Sequence, residues 1–208
     1  SLGSSAARAV VMASTSSAYG ANTQMPYRET DKADTPMSFY AATKKANEAM
    51  SHAWAHIHQL PTTMFRFFTV YGPWGRPDMA YYSFTGKILR GETIDVYNHG
   101  DMWRDFTYID DVVNALERII PHAPLADHPA IYNIGNNNPI RLSHFIEALE
   151  EVIGKKANKN FLPMQDGDVY QTYADISDLE RDFDITISTP IQQGLASFFS
   201  WYRSYHGV

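Results

Sequence analysis

Cysteine is absent from the 208 residues, which excludes disulfides and thiolate metal sites and fits a reducing, cytoplasmic setting. Long apolar runs are absent too: nothing approaches the ~20 residues that a membrane-crossing helix requires. Positive charge is scarce. Lys and Arg total 17 against 23 Asp and Glu, a net charge of −6, so a general nucleic-acid binder is excluded, because phosphate affinity needs clustered cations. Glycine is missing where a phosphate-cradling turn would need it: no G-x-G-x-x-G or looser triplet precedes Ala9.

What is present suits one buried core, or a core with a smaller domain beside it: 44% of residues are hydrophobic and 19% charged. Ala9 to Ala13 is a short continuous apolar run, the pattern of a parallel strand buried on both faces. Residues 22–37 contain Pro26 and Pro36 and read as a loop. From Ser38 to His58 there is neither Gly nor Pro; Ser38 supplies an N-cap and Pro61 follows the end, so a long helix is expected. Thr62 to Phe68 is β-branched and aromatic, a second buried strand. Strand, helix and strand make one βαβ unit of a parallel sheet. Further on, a turn-rich loop over 71–77 precedes a helix over 79–89 and a strand over 93–97. Asp110 or Asp111 caps a helix to about Ile120, followed by a strand over 130–134 and helices over 143–153 and 191–205.

Two segments carry chemistry. Thr15-Ser16-Ser17 follows the first strand as a hydroxyl-rich loop, and Tyr40-x-x-x-Lys44 places a phenol and an ammonium one helical turn apart on one face. A tyrosine is a poor base at neutral pH, but a neighbouring ammonium favours its phenolate by opposite charge. A Thr hydroxyl sharing a hydrogen bond with a substrate oxygen completes a device for moving a proton on and off a sugar hydroxyl. Tyr40 and Lys44 alone also suit an amphipathic helix with a snorkelling lysine; the hydroxyl loop at a strand end adds the specificity. His52 and His56 lie four apart on the same helix with no third ligand, so no metal site is expected.

Thr15-Ser16-Ser17-Ala18-Tyr19-Gly20, Tyr40-Ala41-Ala42-Thr43-Lys44-Lys45-Ala46-Asn47-Glu48 and Arg66-Phe67-Phe68-Thr69-Val70-Tyr71-Gly72-Pro73 resemble the extended short-chain dehydrogenase/reductases, and most closely the NAD-dependent nucleotide-sugar epimerases that act on UDP-glucuronate. Asp95-Val96-Tyr97-Asn98, Arg104-Asp105-Phe106-Thr107-Tyr108 and Tyr132-Asn133-Ile134-Gly135 continue the resemblance over nearly the whole chain. It implies an α/β fold: the C-terminal part of a doubly wound Rossmann-type sheet over 1–75, and a smaller mixed α/β domain for a UDP-sugar mainly over 76–208, with some segments returning to the first.

The resemblance also implies roles. Tyr40 is the base at the sugar O4, Thr15 shares that hydrogen bond, and Lys44 holds the ribose of NAD beside Tyr40 and Phe67. Ser16, Ser17 and Thr69 contact the sugar or its carboxylate. Arg76 and Arg104 take the acid and the diphosphate, Tyr97 lies near the uracil, and Gln165 and Asp168 belong to the same substrate site. Related dehydratases carry an Asp-Glu pair where this chain has Ser16 and Ser17, and related decarboxylases a Glu at Ser17. Hydroxyls cannot replace carboxylates in that acid/base work, so C4 epimerisation of UDP-glucuronate to UDP-galacturonate through a 4-keto sugar is expected. UDP-galactose epimerisation and a truncated, non-catalytic UDP-sugar binder are the alternatives. Gln165 departs from the arginine of many UDP-galactose epimerases. The missing glycine-rich turn leads to the expectation of a C-terminal fragment, and the 38–58 helix to that of a homodimer.

Overall fold

The computed structural model describes residues 9–122, 130–165 and 168–208. In chain order the elements are β1 (Val10–Thr15), α1 (Phe39–His58), β2 (Thr62–Phe67), β3 (Thr69–Tyr71), α2 (Ala80–Arg90), β4 (Thr93–Val96), β5 (Trp103–Arg104), β6 (Phe106–Tyr108) and α3 (Ile109–Ile119). There follow β7 (Ala130–Ile134), β8 (Ile140–Arg141), α4 (Leu142–Ile153), β9 (Asn158–Phe161), β10 (Gln171–Thr172), α5 (Ser177–Phe183) and α6 (Ile191–His206). No helix among the described residues is long and apolar enough to cross a membrane.

The contacts divide the chain into two compact units. The first comprises the described residues of 9–68, 114–134 and 174–186. Its sheet is parallel, in the order β1-β2-β7, with Thr15 opposite Phe67 and Phe67 opposite Ile134. The central β2 is buried from Thr62 to Arg66, as its continuous β-branched and aromatic run requires. β1 differs from the expectation of burial on both faces. Val11 and Ala13 are exposed while Ser14 and Thr15 are buried; Met12 and Ser14 are on the face that meets Ser51 and Glu48 of α1.

α1 starts where the sequence signals it: the Ser38 hydroxyl accepts the Ala41 N–H at 3.1 Å. It ends on Gln59 in the left-handed conformation, two residues before Pro61. Polar contacts then fix the helix along β1. The Lys44 Nζ donates to the Ala13 carbonyl (3.1 Å), the Ser14 hydroxyl to Glu48 Oε1 (2.6 Å), and the Ser51 hydroxyl lies 2.7 Å from Met12 Sδ.

The second unit comprises 69–113, 135–173 and 187–208. Short strand pairs, β3 with β6 and β4 with β9, are parallel, and β5 lies between β10 and β8. Its core is aromatic. Phe106 stacks on Phe145 with centroids 4.3 Å apart, and Tyr81 meets Phe198 edge-to-face at 4.8 Å. α3 begins at Ile109, so Asp110 and Asp111 lie inside its first turn and do not cap it; there they still complement the helix dipole.

Candidate active site

Within the first unit, β1 ends at Thr15 and the chain turns at once into a short 3-10 segment, Ser16–Tyr19. Thr15 is the residue that allows this. Its hydroxyl accepts the Ser17 N–H at 3.2 Å and donates to Ser17 Oγ at 3.3 Å, satisfying a donor that the new turn leaves open. Gly20 closes the turn with φ +57, and a side chain there would run into the Thr35 carbonyl. Thr15 is buried, Ser16 half-buried and Ser17 exposed, so a graded row of hydroxyls emerges at the carboxyl end of a parallel strand. That is where open α/β sheets bind their ligands.

Tyr40 lies in the first turn of α1 with its side chain 54% exposed, and the Lys44 ammonium lies 6.0 Å from its ring centroid. Lys44 is aimed at β1 by its bond to Ala13, which occupies one of three N–H donors and leaves the others for a ligand. Phe67, half-buried, ends the neighbouring strand directly opposite Thr15.

Beneath these groups runs a buried polar network that the sequence reading did not identify. Glu48, one helical turn beyond Lys44, accepts from Ser14 at 2.6 Å, from Arg66 Nε and Nη2 at 2.9 and 2.8 Å, and from Lys45 at 3.0 Å. Burial pushes the Glu48 carboxyl up, but the hydrogen bonds from Arg66 and Ser14 and the guanidinium charge outweigh this and hold it at about 2. The Arg66 guanidinium lies over the Tyr19 ring, 4.6 Å from its centroid, and the Tyr19 hydroxyl donates to Asn133 Oδ1 at 2.7 Å. Burial raises the Tyr19 phenol to about 12, so it remains a neutral donor. Asn133 in turn donates from its Nδ2 to the carbonyls of Tyr27 and Asp175, and from its backbone N–H to Glu29. Glu48 and Arg66 both stand in the motif segments, yet no local pattern reveals a pairing between a helix and a strand.

Four of the residues expected at the substrate site come together in the second unit. Thr69, Tyr97, Arg104 and Asp168 line one cavity of about 410 Å³, a volume in the range of small-molecule sites. Arg104 Nη2 donates to Asp168 Oδ1 at 2.7 Å. The cavity floor is apolar, with Phe84, Met102, Phe106 and Leu142. Of the expected substrate residues, Thr15, Ser16 and Ser17 belong to the first unit, and two of the second unit are not among the cavity's lining. Arg76 is 72% exposed and paired with Asp78 at 3.3 Å, and Gln165 is exposed, its carbonyl accepting the Asp168 N–H. No cluster of three or more metal-ligating side chains occurs among the described residues.

A parallel sheet with a Thr-Ser-Ser strand end and a Tyr-x-x-x-Lys helix, together with a second unit that carries a cavity of its own, defines an α/β protein. Residues 2–135 match the NAD dependent epimerase/dehydratase family, and the chain belongs to that family. It is 50% identical to Protein CapI of Staphylococcus aureus over 95% of its own length and 64% of that protein's. It is 45% identical to a probable UDP-glucuronate 4-epimerase of Rhizobium meliloti, over 93% of its own length and 61% of the relative's. Among solved structures it resembles the UDP-glucuronic acid 4-epimerase of Bacillus cereus in complex with UDP-glucuronic acid and NAD. The TM-score is 0.86 and the identity 30%, over 94% of this chain and 61% of that one. The chain thus spans less than two thirds of the length of these relatives.

Proposed function

We propose that the protein serves NAD-dependent C4 epimerisation of a UDP-sugar, converting UDP-glucuronate to UDP-galacturonate through a 4-keto sugar. The observation that carries this reading is the pairing of Tyr40 and Lys44 on one face of α1, with the ammonium tied to β1 two residues before Thr15. Tyr40 takes the proton from the sugar O4 and later returns it, while the Thr15 hydroxyl steadies that oxygen. Lys44, with two donors left over, holds the ribose of the cofactor and keeps positive charge beside the phenol. When bound, NAD supplies a hydride acceptor and donor at C4. Ser16 and Ser17 offer hydroxyls to the sugar and no carboxylate, which supports epimerisation over elimination or decarboxylation. In the second unit, Tyr97 takes the base and Arg104 the diphosphate, a reading supported by their sharing one cavity.

A homodimer through α1 belongs to the same proposal. Phe39, Met50, Trp54 and Ile57 are 94, 60, 60 and 69% exposed, and residues 50, 54 and 57 form one apolar stripe.

The sugar is tested by offering UDP-glucuronate and UDP-galactose in parallel with NAD and separating the products by ion-pair chromatography. Preferential formation of UDP-galacturonate supports the assignment. Faster turnover of UDP-galactose moves it to the neutral sugar, and UDP binding without turnover of either leaves a UDP-sugar-binding protein.

A further inference from the structure

The cavity of the second unit contains a cation that neither the motifs nor the proposed roles account for. α2 presents Ala80, Ser83, Phe84 and Lys87 to it; this i, i+3, i+4, i+7 spacing is one face of a helix. Lys87 is half-buried in the last turn of α2 and makes no ion pair among the described residues. Glu92, which feels its charge, is already held by Arg90 through two hydrogen bonds of 2.5 and 2.9 Å.

Two of the three carboxylates on the cavity wall have cationic partners and the third accepts a neutral amide. Asp78 pairs with Arg76, Asp95 accepts the Asn160 amide at 2.8 Å, and Asp168 takes Arg104. Arg104, 21% exposed, is therefore largely compensated by a carboxylate of this chain. A diphosphate linking two sugars carries two negative charges, and a compensated Arg104 does not balance them. A lysine serves phosphate as a mobile point charge on a long stem, and Lys87 shares the cavity with Arg104 and Tyr97.

We propose that Lys87 binds the diphosphate of a nucleoside diphosphate sugar jointly with Arg104. This rests on the reading of the cavity as the UDP-sugar site. Binding of UDP to the cavity sets the Lys87 ammonium against the phosphates, and Arg104 turns from Asp168 towards the same group.

The test is calorimetric titration of the full chain and its Lys87→Met and Lys87→Arg variants with UDP and with uridine, at two salt concentrations. Methionine keeps the apolar stem and removes only the charge, and matching thermal midpoints establish that the fold is retained. The expected result is a UDP affinity about tenfold weaker in Lys87→Met, with a shallower salt dependence. Uridine binding should stay within twofold, and Lys87→Arg should restore UDP binding. Unchanged UDP affinity in Lys87→Met, or equal weakening of UDP and uridine, overturns the role of Lys87 alone. A wild-type chain that binds uridine and UDP equally, or neither, overturns the reading of the cavity and the role of Lys87 with it.

Discussion

Replacing Arg66 with methionine should reveal how α1, the helix that carries Tyr40 and Lys44, is held in place. The substitution keeps an apolar stem but removes two hydrogen bonds of 2.9 and 2.8 Å to Glu48 and the guanidinium over Tyr19. Glu48 is 3% exposed and would be left with Ser14 and Lys45. Breaking a buried ion pair from one side costs about 3–5 kcal/mol, because an uncompensated charge remains. The acid side of the stability curve gives an independent figure. A carboxyl moved from 4.5 to about 2 contributes about 3 kcal/mol of folding stability. Its folded value is depressed, so this contribution is complete above the unfolded value near 4.5 and is lost as the pH falls towards 2. In Arg66→Met burial dominates and the Glu48 carboxyl rises, so the gap between wild type and variant should narrow from pH 6 to pH 3. Urea unfolding of wild type, Arg66→Met, Glu48→Gln and the double variant gives the cycle, with an expected coupling of about 2 kcal/mol or more. Single costs that add within about 0.5 kcal/mol, or a gap that does not change with pH, would refute the reasoning.

Tyr40→Phe should lower kcat by about a hundredfold or more, the usual contribution of a positioned acid/base, while UDP affinity measured by calorimetry stays within twofold. Gly20→Ala should destabilise the protein by about 1–2 kcal/mol from the positive φ alone, and more through the clash with the Thr35 carbonyl; thermal unfolding reads it. Trp54→Glu places a charge in the exposed stripe of α1 and should convert a dimer into a monomer in light scattering, with the thermal midpoint little changed.

Much of the first unit is legible in the sequence because its signals are local. Ser38 caps α1, the Gly- and Pro-free run sets its length, and the β-branched run of β2 marks a central strand. The second unit is less legible. β9 reads Asn-Lys-Asn-Phe and is mostly exposed, so no hydrophobic period announces it; pairing with β4 makes it a strand. β3 and β6 are three residues each, shorter than any pattern can register, and α5 begins where Asp175 accepts the Ser177 N–H at 2.9 Å, a contact hidden among polar residues. The site divides in the same way. Thr15, Tyr40 and Lys44 stand out because their spacing is itself the signal, whereas Lys87 is one lysine on an amphipathic helix until the fold turns its face to the cavity. Glu48 and Arg66 gain their meaning from a contact across 18 residues.

The central claim is that Tyr40 and Thr15 serve oxidation and re-reduction at one sugar carbon. It is tested most directly by turning over UDP-glucuronate deuterated at C4 with NAD and reading the product by proton NMR. The account predicts UDP-galacturonate with deuterium retained at C4 in the inverted configuration, formed about a hundredfold or more slowly by Tyr40→Phe. Inverted product that has lost its deuterium to solvent, or undiminished turnover by Tyr40→Phe, would contradict it.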